Sequence, residues 1–190
     1  MPAFPNPLSI SVLALLNERP MHPYEMYQLL LERHEDRLVK VRPGSLYHVV
    51  ERLEDRGLVE ATGTERAGNR PERTTYAITK AGQSALAEWV ESTISEPINE
   101  YPLFPVALSE AHELPQSDAV VALHARISRL DALIADTDNL IAHAHDRDVY
   151  EAYWFAADYV RTLQRAERDW LRNTVARIEK GDLPWPPGKS

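Results

Sequence analysis

The chain has 190 residues, 44% hydrophobic and 26% charged, which excludes intrinsic disorder and allows one large domain or two small ones with a real core. Its net charge of −8 is unusual for a nucleic-acid binder, and the absence of cysteine excludes disulfides and thiolate metal sites. The longest unbroken apolar run near the start, Val12–Leu16, is too short for a signal-peptide core or a membrane span, so a soluble cytoplasmic protein is expected.

The first half reads as three helices, two strands and a helix. Leu8, Val12, Leu15 and Leu16 give Leu8–Glu18 a helical stripe. Pro20–Pro23 interrupts it. Pro23 suits the first turn of a second helix, with Glu25 near its positive end, and that helix runs to about His34. Pro43 and Gly44 punctuate again, and Ser45 is placed to help cap a third helix. Leu46, Val50 and Leu53 stand at i, i+4 and i+7, and Gly57 follows where a positive φ is needed. Leu58–Ala61 and Thr74–Ile78 read as strands around a polar hairpin tip, Thr62–Arg73. Thr79 opens a helix reaching about Thr93.

Pro97, Pro102 and Pro105 fall within Glu96–Pro105, which reads as a linker. Beyond it the chain is helical. Val120, Leu123, Ile127, Leu130, Ile134, Thr137 and Ile141 alternate spacings of three and four, a seam of coiled-coil type. A second long helix is expected over Asp148–Lys180, with Val160, Leu163, Trp170, Thr174 and Ile178 on its stripe. Two such helices cannot bury both stripes alone, so packing against the first domain, a partner chain, or both is implied. Leu123, Ile127, Leu130, Ile134, Val160, Leu163 and Trp170 are the expected dimer interface. The fold class is mainly α. Residues 1–95 form an N-terminal winged helix-turn-helix with a two-stranded wing, and 96–114 a proline-rich linker with a short helix. Residues 115–183 form a C-terminal long-helix dimerisation domain, and 184–190 a tail that should fray or run extended.

Charge follows this division. Residues 1–90 hold 11 Lys/Arg and 12 Asp/Glu, and residues 91–190 hold 10 and 17. A near-neutral first half can bind DNA if its cations share a face, and the acidic half stays off the phosphates.

Several motifs then stand in a recognisable order: Leu13-Ala-Leu-Leu, His22-Pro-Tyr-Glu25, Pro43-Gly-Ser-Leu-Tyr47, Leu53-Glu-Asp-Arg-Gly-Leu58, Arg73-Thr-Thr-Tyr76 and Thr79-Lys-Ala-Gly82. Over roughly residues 8–90 this resembles the PadR family of transcriptional regulators, and the second half is similar to its subfamily with a long helical C-terminal domain. Pro23 departs from the family's usual glycine, which a first helical turn tolerates. The resemblance implies a winged helix, a homodimer, and repression relieved in many members by a small molecule.

On DNA, the N-terminal end of the third helix would offer Ser45, Tyr47 and His48 to base edges. Lys40, Arg42 and Arg52 would position the protein on phosphates, with Tyr24 a further phosphate contact. Arg66, Asn69, Arg70 and Arg73 arm the wing for the minor groove or backbone, and the family analogy favours Arg70. Some of these have a plainer role open to them: Tyr47 could pack on the second helix, His48 could be merely solvated, and Arg52 and Arg56 could pair with Glu51, Glu54 or Asp55, whereas the wing arginines have no core to serve at a hairpin tip.

No catalytic set is present, and neither cofactor nor metal is expected. His143 and His145 diverge on a helix and cannot share an ion unless it ends there. Tyr150, Tyr153 and Trp154, with Phe155 and Tyr159, either pack a dimer or line a pocket for a flat aromatic effector, Trp154 stacking on it. The expected function is a DNA-binding repressor acting on an inverted-repeat operator. The alternative is a helical protein-interaction module without DNA binding.

Overall fold

The computed structural model describes residues 6–65 and 73–186. It divides into two compact units, Met1–Glu100 and Tyr101–Ser190.

In the first unit α1 spans Pro7–Glu18, capped by the Asn6 side chain, which accepts from the Leu8 amide. Helix α2, Pro23–Glu32, is capped by His22 Nδ1 accepting from Tyr24 N at 3.0 Å. A short 3-10 turn, Glu35–Arg37, follows a left-handed His34 and leads to α3, Pro43–Asp55. Pro43 takes the first helical position, so the N-cap is Arg42 and has no side-chain cap bond. The expectation that Ser45 caps α3 is therefore corrected: Ser45 already lies inside the first turn. At the other end Gly57 adopts φ 70°. Its amide donates to Glu54 O and that of Leu58 to Leu53 O, which satisfies two otherwise orphaned carbonyls.

Strands β1, Val59–Glu65, and β2, Arg73–Ile78, pair antiparallel, with an irregularity at Thr62 between Ala61 and Gly63. Met21 adds one rung, exchanging both backbone bonds with Tyr76 at 3.0 Å. Helix α4, Lys80–Ser95, starts at Thr79. The Thr79 hydroxyl accepts from Gly82 N at 3.0 Å and donates to Gly57 O at 2.8 Å. The core is one cluster that includes Leu13, Met26, Leu30, Leu46, Val50 and Leu53.

In the second unit α5 spans Leu103–Ser109. A short helix was expected within residues 96–114, with Pro105 read as part of the linker before it. Pro105 sits instead in the first turn, where its missing N–H has no intrahelical acceptor to lose. Helices α6, Gln116–Asp146, and α7, Phe155–Lys180, form an antiparallel hairpin. The second long helix thus begins later than Asp148, because Asp148 adopts φ 52° and Glu151–Tyr153 form a 3-10 turn. Gly181, at φ 80°, ends α7. Leu183 and Trp185 then pack on the α6–α7 core, and the Trp185 indole donates to Leu114 O at 3.0 Å. Of the two states expected for this end, frayed or extended, the anchored indole argues against fraying as far as Trp185, whereas residues 187–190 lie outside the described part.

Charged pairs flank the apolar seam at heptad spacing. Asp138 meets Arg161 and Arg165, and Asp131 meets Arg168 and Arg172. On the other flank Arg126 meets Glu167. The hydrogen bond from Arg161 is the main cause that holds the Asp138 carboxyl below its ordinary value.

Two outcomes are expected. A Cβ on Gly82 would lie 2.0 Å from Leu58 O, a backbone atom that cannot swing aside. Gly82→Ala should cost about 3 kcal/mol or more in urea denaturation. Depressed carboxylates contribute stability above their unfolded pKa of about 4 and lose it as pH falls through the folded value. The urea midpoint should therefore drop steeply below about pH 4, and less steeply in Asp138→Asn.

Candidate nucleic-acid interface

Helix α3 divides cleanly by face. Leu46, Val49, Val50 and Leu53 are buried against α1 and α2. Gly44, Ser45, Tyr47, His48, Glu51 and Arg52 are exposed. The period of 3.6 produces this split, since the buried positions recur at three- and four-residue intervals.

The exposed side chains are not equally free. Tyr47 is 41% exposed, with its ring edge-on to His22 at 6.2 Å between centroids. It therefore stands beside α2 rather than beneath it, which leaves a phenol at the surface in a fixed direction. His48 Nδ1 lies 3.3 Å from Glu51 Oε2, and Arg52 Nε donates to His48 O at 3.3 Å. Tyr24, 54% exposed at the start of α2, has Tyr27 as its ring neighbour.

The cations of the first unit sort by what they already bind. Arg19 pairs with Glu25 and Arg33 with Glu18, and both carboxyls are held below their usual range chiefly by those hydrogen bonds. Arg56 lies over the Trp89 ring, 5.4 Å from its centroid. Lys40 and Arg42 are exposed and have no ion-pair partner among the described residues, and the same holds for Arg37. Arg37 was missed in the sequence because nothing there marks the 3-10 turn that brings it into the approach to α3. In the wing, Arg66, Asn69 and Arg70 lie outside the described residues, and only the backbone of Arg73 is described, paired with Glu65.

The remaining expected residues lie in the second unit. Trp154 lines a cavity of about 560 Å³ with Asp138, His145, Asp158 and Arg161. Its indole donates to Val149 O at 3.2 Å, and the ring meets His145 edge-on at 4.7 Å. Both ends of Trp154 are thus engaged in closing the turn between α6 and α7. Tyr150 and Tyr153 are 80% and 81% exposed and do not line this cavity. Leu123, Ile127, Leu130 and Ile134, expected at a dimer interface, are buried within the chain itself. The same seam spacing serves an intrachain hairpin, and Leu171, Val175 and Ile178 of α7 pack in that cluster with Leu123, Ile127 and Leu130. Val160 is half-buried, whereas Leu163 and Trp170 are half exposed.

Three packed helices, a two-stranded hairpin and an exposed third-helix face define a winged helix-turn-helix. Residues 12–88 match the model of the transcriptional regulator PadR-like family. Among solved structures, Bacillus subtilis PadR in complex with operator DNA is 17% identical, covering 90% of this chain and 97% of that one, with a TM-score of 0.74. The same Bacillus subtilis protein in complex with p-coumaric acid is 15% identical, covering 90% and 98%, at 0.70. A PadR-like transcriptional regulator from Bacillus cereus is 16% identical, covering 91% and 98%, at 0.67. At these identities the likeness establishes the fold. No curated protein matches the sequence.

If the Tyr47 phenol is set by His22, its direction should depend on that ring. His22→Ala should leave the fold intact, apart from about 1 kcal/mol of α2 capping. It should also broaden the Tyr47 ring signals in NMR spectra, and unchanged signals would remove His22 from the interface.

Proposed function

We propose that the protein is a homodimeric DNA-binding repressor that grips an inverted-repeat operator and answers to a small molecule. The observation that carries this is the exposed N-terminal half of α3, where Ser45, Tyr47 and His48 follow Lys40 and Arg42, which have no ion-pair partner among the described residues. A helix N-terminus favours phosphate, side chains there reach major-groove edges, and cations just before it hold the backbone. Arg52 extends this row, Tyr24 adds a phosphate contact, and Arg66, Asn69, Arg70 and Arg73 act from the wing. The Bacillus subtilis relative, solved with operator DNA and with p-coumaric acid, supports both halves of the reading.

In this reading residues 1–95 bind DNA, 96–114 connect, and 115–183 dimerise. Phe155, Tyr159, Leu163 and Trp170 form an exposed apolar row on α7, and a second copy covers it. Regulation by binding, without catalysis, follows from the family. No helix among the described residues is long and apolar enough to cross a membrane, which suits a protein working in the cytoplasm.

The test is a gel shift with the DNA upstream of the protein's own gene, where half-sites should lie about one helical turn apart or a multiple. Arg70→Ala should weaken binding across sequences and lower the salt slope by about one. Leu163→Glu with Trp170→Glu should give a monomer by size exclusion, with much weaker affinity. Absence of any shift at low salt would overturn the reading.

A further inference from the structure

The second unit contains a groove that none of these roles uses. It is a cavity of about 480 Å³ between α5 and one side of α6. That volume lies in the range of small-molecule sites, about 300–1,000 Å³. Its walls are apolar: Phe104 and Leu108 from α5, Leu123, Leu130 and Leu133 from α6. Ala119 and Ala122 keep one end open because their side chains stop at the methyl.

The charge at the rim is opposite to that of its surroundings. Residues 91–190 hold 10 Lys/Arg against 17 Asp/Glu, yet this groove is lined by Arg126 and Arg129 with Glu110 as its one acid. Arg126 is already committed, paired with Glu167 and lying over the Phe104 ring at 3.4 Å from its centroid. Arg129 is exposed and has no ion-pair partner among the described residues. An apolar trough with one uncommitted guanidinium at its edge matches a particular ligand chemistry: an apolar body ending in a carboxylate.

We propose that the α5–α6 groove binds an amphiphilic organic carboxylate, its apolar body against Phe104, Leu108 and Leu133 and its carboxylate on Arg129. Binding itself does not depend on the regulator reading. Its use as the effector does rest on that reading. Helix α5 is the first element after residues 96–102, which join it to α4. A ligand lodged between α5 and α6 changes which position of α5 is favoured, and so acts on the segment that leads from the DNA-binding unit.

Calorimetric titration of the full-length protein tests this with three ten-carbon probes: decanoate, decanol and decyltrimethylammonium. Decanoate should bind most tightly. Arg129→Gln should weaken decanoate by about tenfold and leave decanol unchanged. Ala122→Leu, which fills the open end from an exposed helical position, should weaken both decanoate and decanol. The Trp185 indole, bonded to the groove residue Leu114, offers a fluorescence readout of the same event. Equal affinity for the cationic probe, or decanoate binding unaffected by both variants, would overturn the site. So would failure of the wild type to bind any probe together with an Ala122→Leu protein that has become monomeric, since a second copy would then occupy the groove. In the gel shift, decanoate should change wild-type DNA affinity and leave Arg129→Gln less responsive. Binding without any change on DNA would overturn the effector role, whereas a protein that shifts no DNA but binds decanoate would fail the regulator reading alone.

Discussion

The first unit depends on how closely α4 approaches the end of α3. Gly82 packs against the carbonyl of Leu58, and no larger residue fits there. One hydroxyl, that of Thr79, ties the Gly57 carbonyl to the Gly82 amide. Gly57 itself makes the left-handed turn that ends α3 and starts β1. Helix, wing and α4 are therefore joined within a few residues. The exposed face of α3 inherits its direction from this junction, as does the start of the hairpin. A recognition surface needs side chains fixed to within a fraction of an ångström, and a junction of backbone atoms holds them better than flexible side chains can.

Charge is distributed by the same economy. Of the cations in the first unit, those on α1, on α2 and at the end of α3 are spent on Glu18, Glu25 and the Trp89 ring. Arg37, Lys40 and Arg42, which stand just before α3, have no ion-pair partner among the described residues. In the second unit several of the acids are structural partners. Asp131 and Asp138, one heptad apart, each meet two arginines of α7 that repeat at the same interval. Such exposed pairs add little stability singly, but they distinguish one register of the hairpin from its neighbours. The net charge of −8 is thus no measure of the surface that meets DNA.

The sequence made most of the first unit legible. The stripes of α1 and α3, the turn at Gly57 and the start at Thr79 are local signals, set by periodicity and by residues with few conformational options. What it hid was context. Ser45 looks like a cap only until Pro43 is known to be helical. Pro105 looks like a breaker until α5 is seen to begin two residues before it. The seam through Leu123, Ile127 and Leu130 could belong to a dimer or to a hairpin, because both bury the same heptad positions and sequence alone cannot identify the partner. The state of each arginine was hidden for the same reason: pairing such as Arg33 with Glu18 joins different helices.

The two faces of α7 bear on how the second unit is used. One face closes the core through Leu171, Val175 and Ile178. The other carries Tyr159, Leu163 and Trp170 in water. A helix that is apolar on two separate faces cannot be satisfied by one neighbour. The groove beside α6 has a different character. It is short, partly covered by α5, and edged by Arg129, which has no ion-pair partner among the described residues. An extended apolar row fits a helix, whereas a short trough with one uncommitted guanidinium fits a small anion. In the proposed reading, the second unit separates the surface that joins two copies from the cavity through which a ligand biases them.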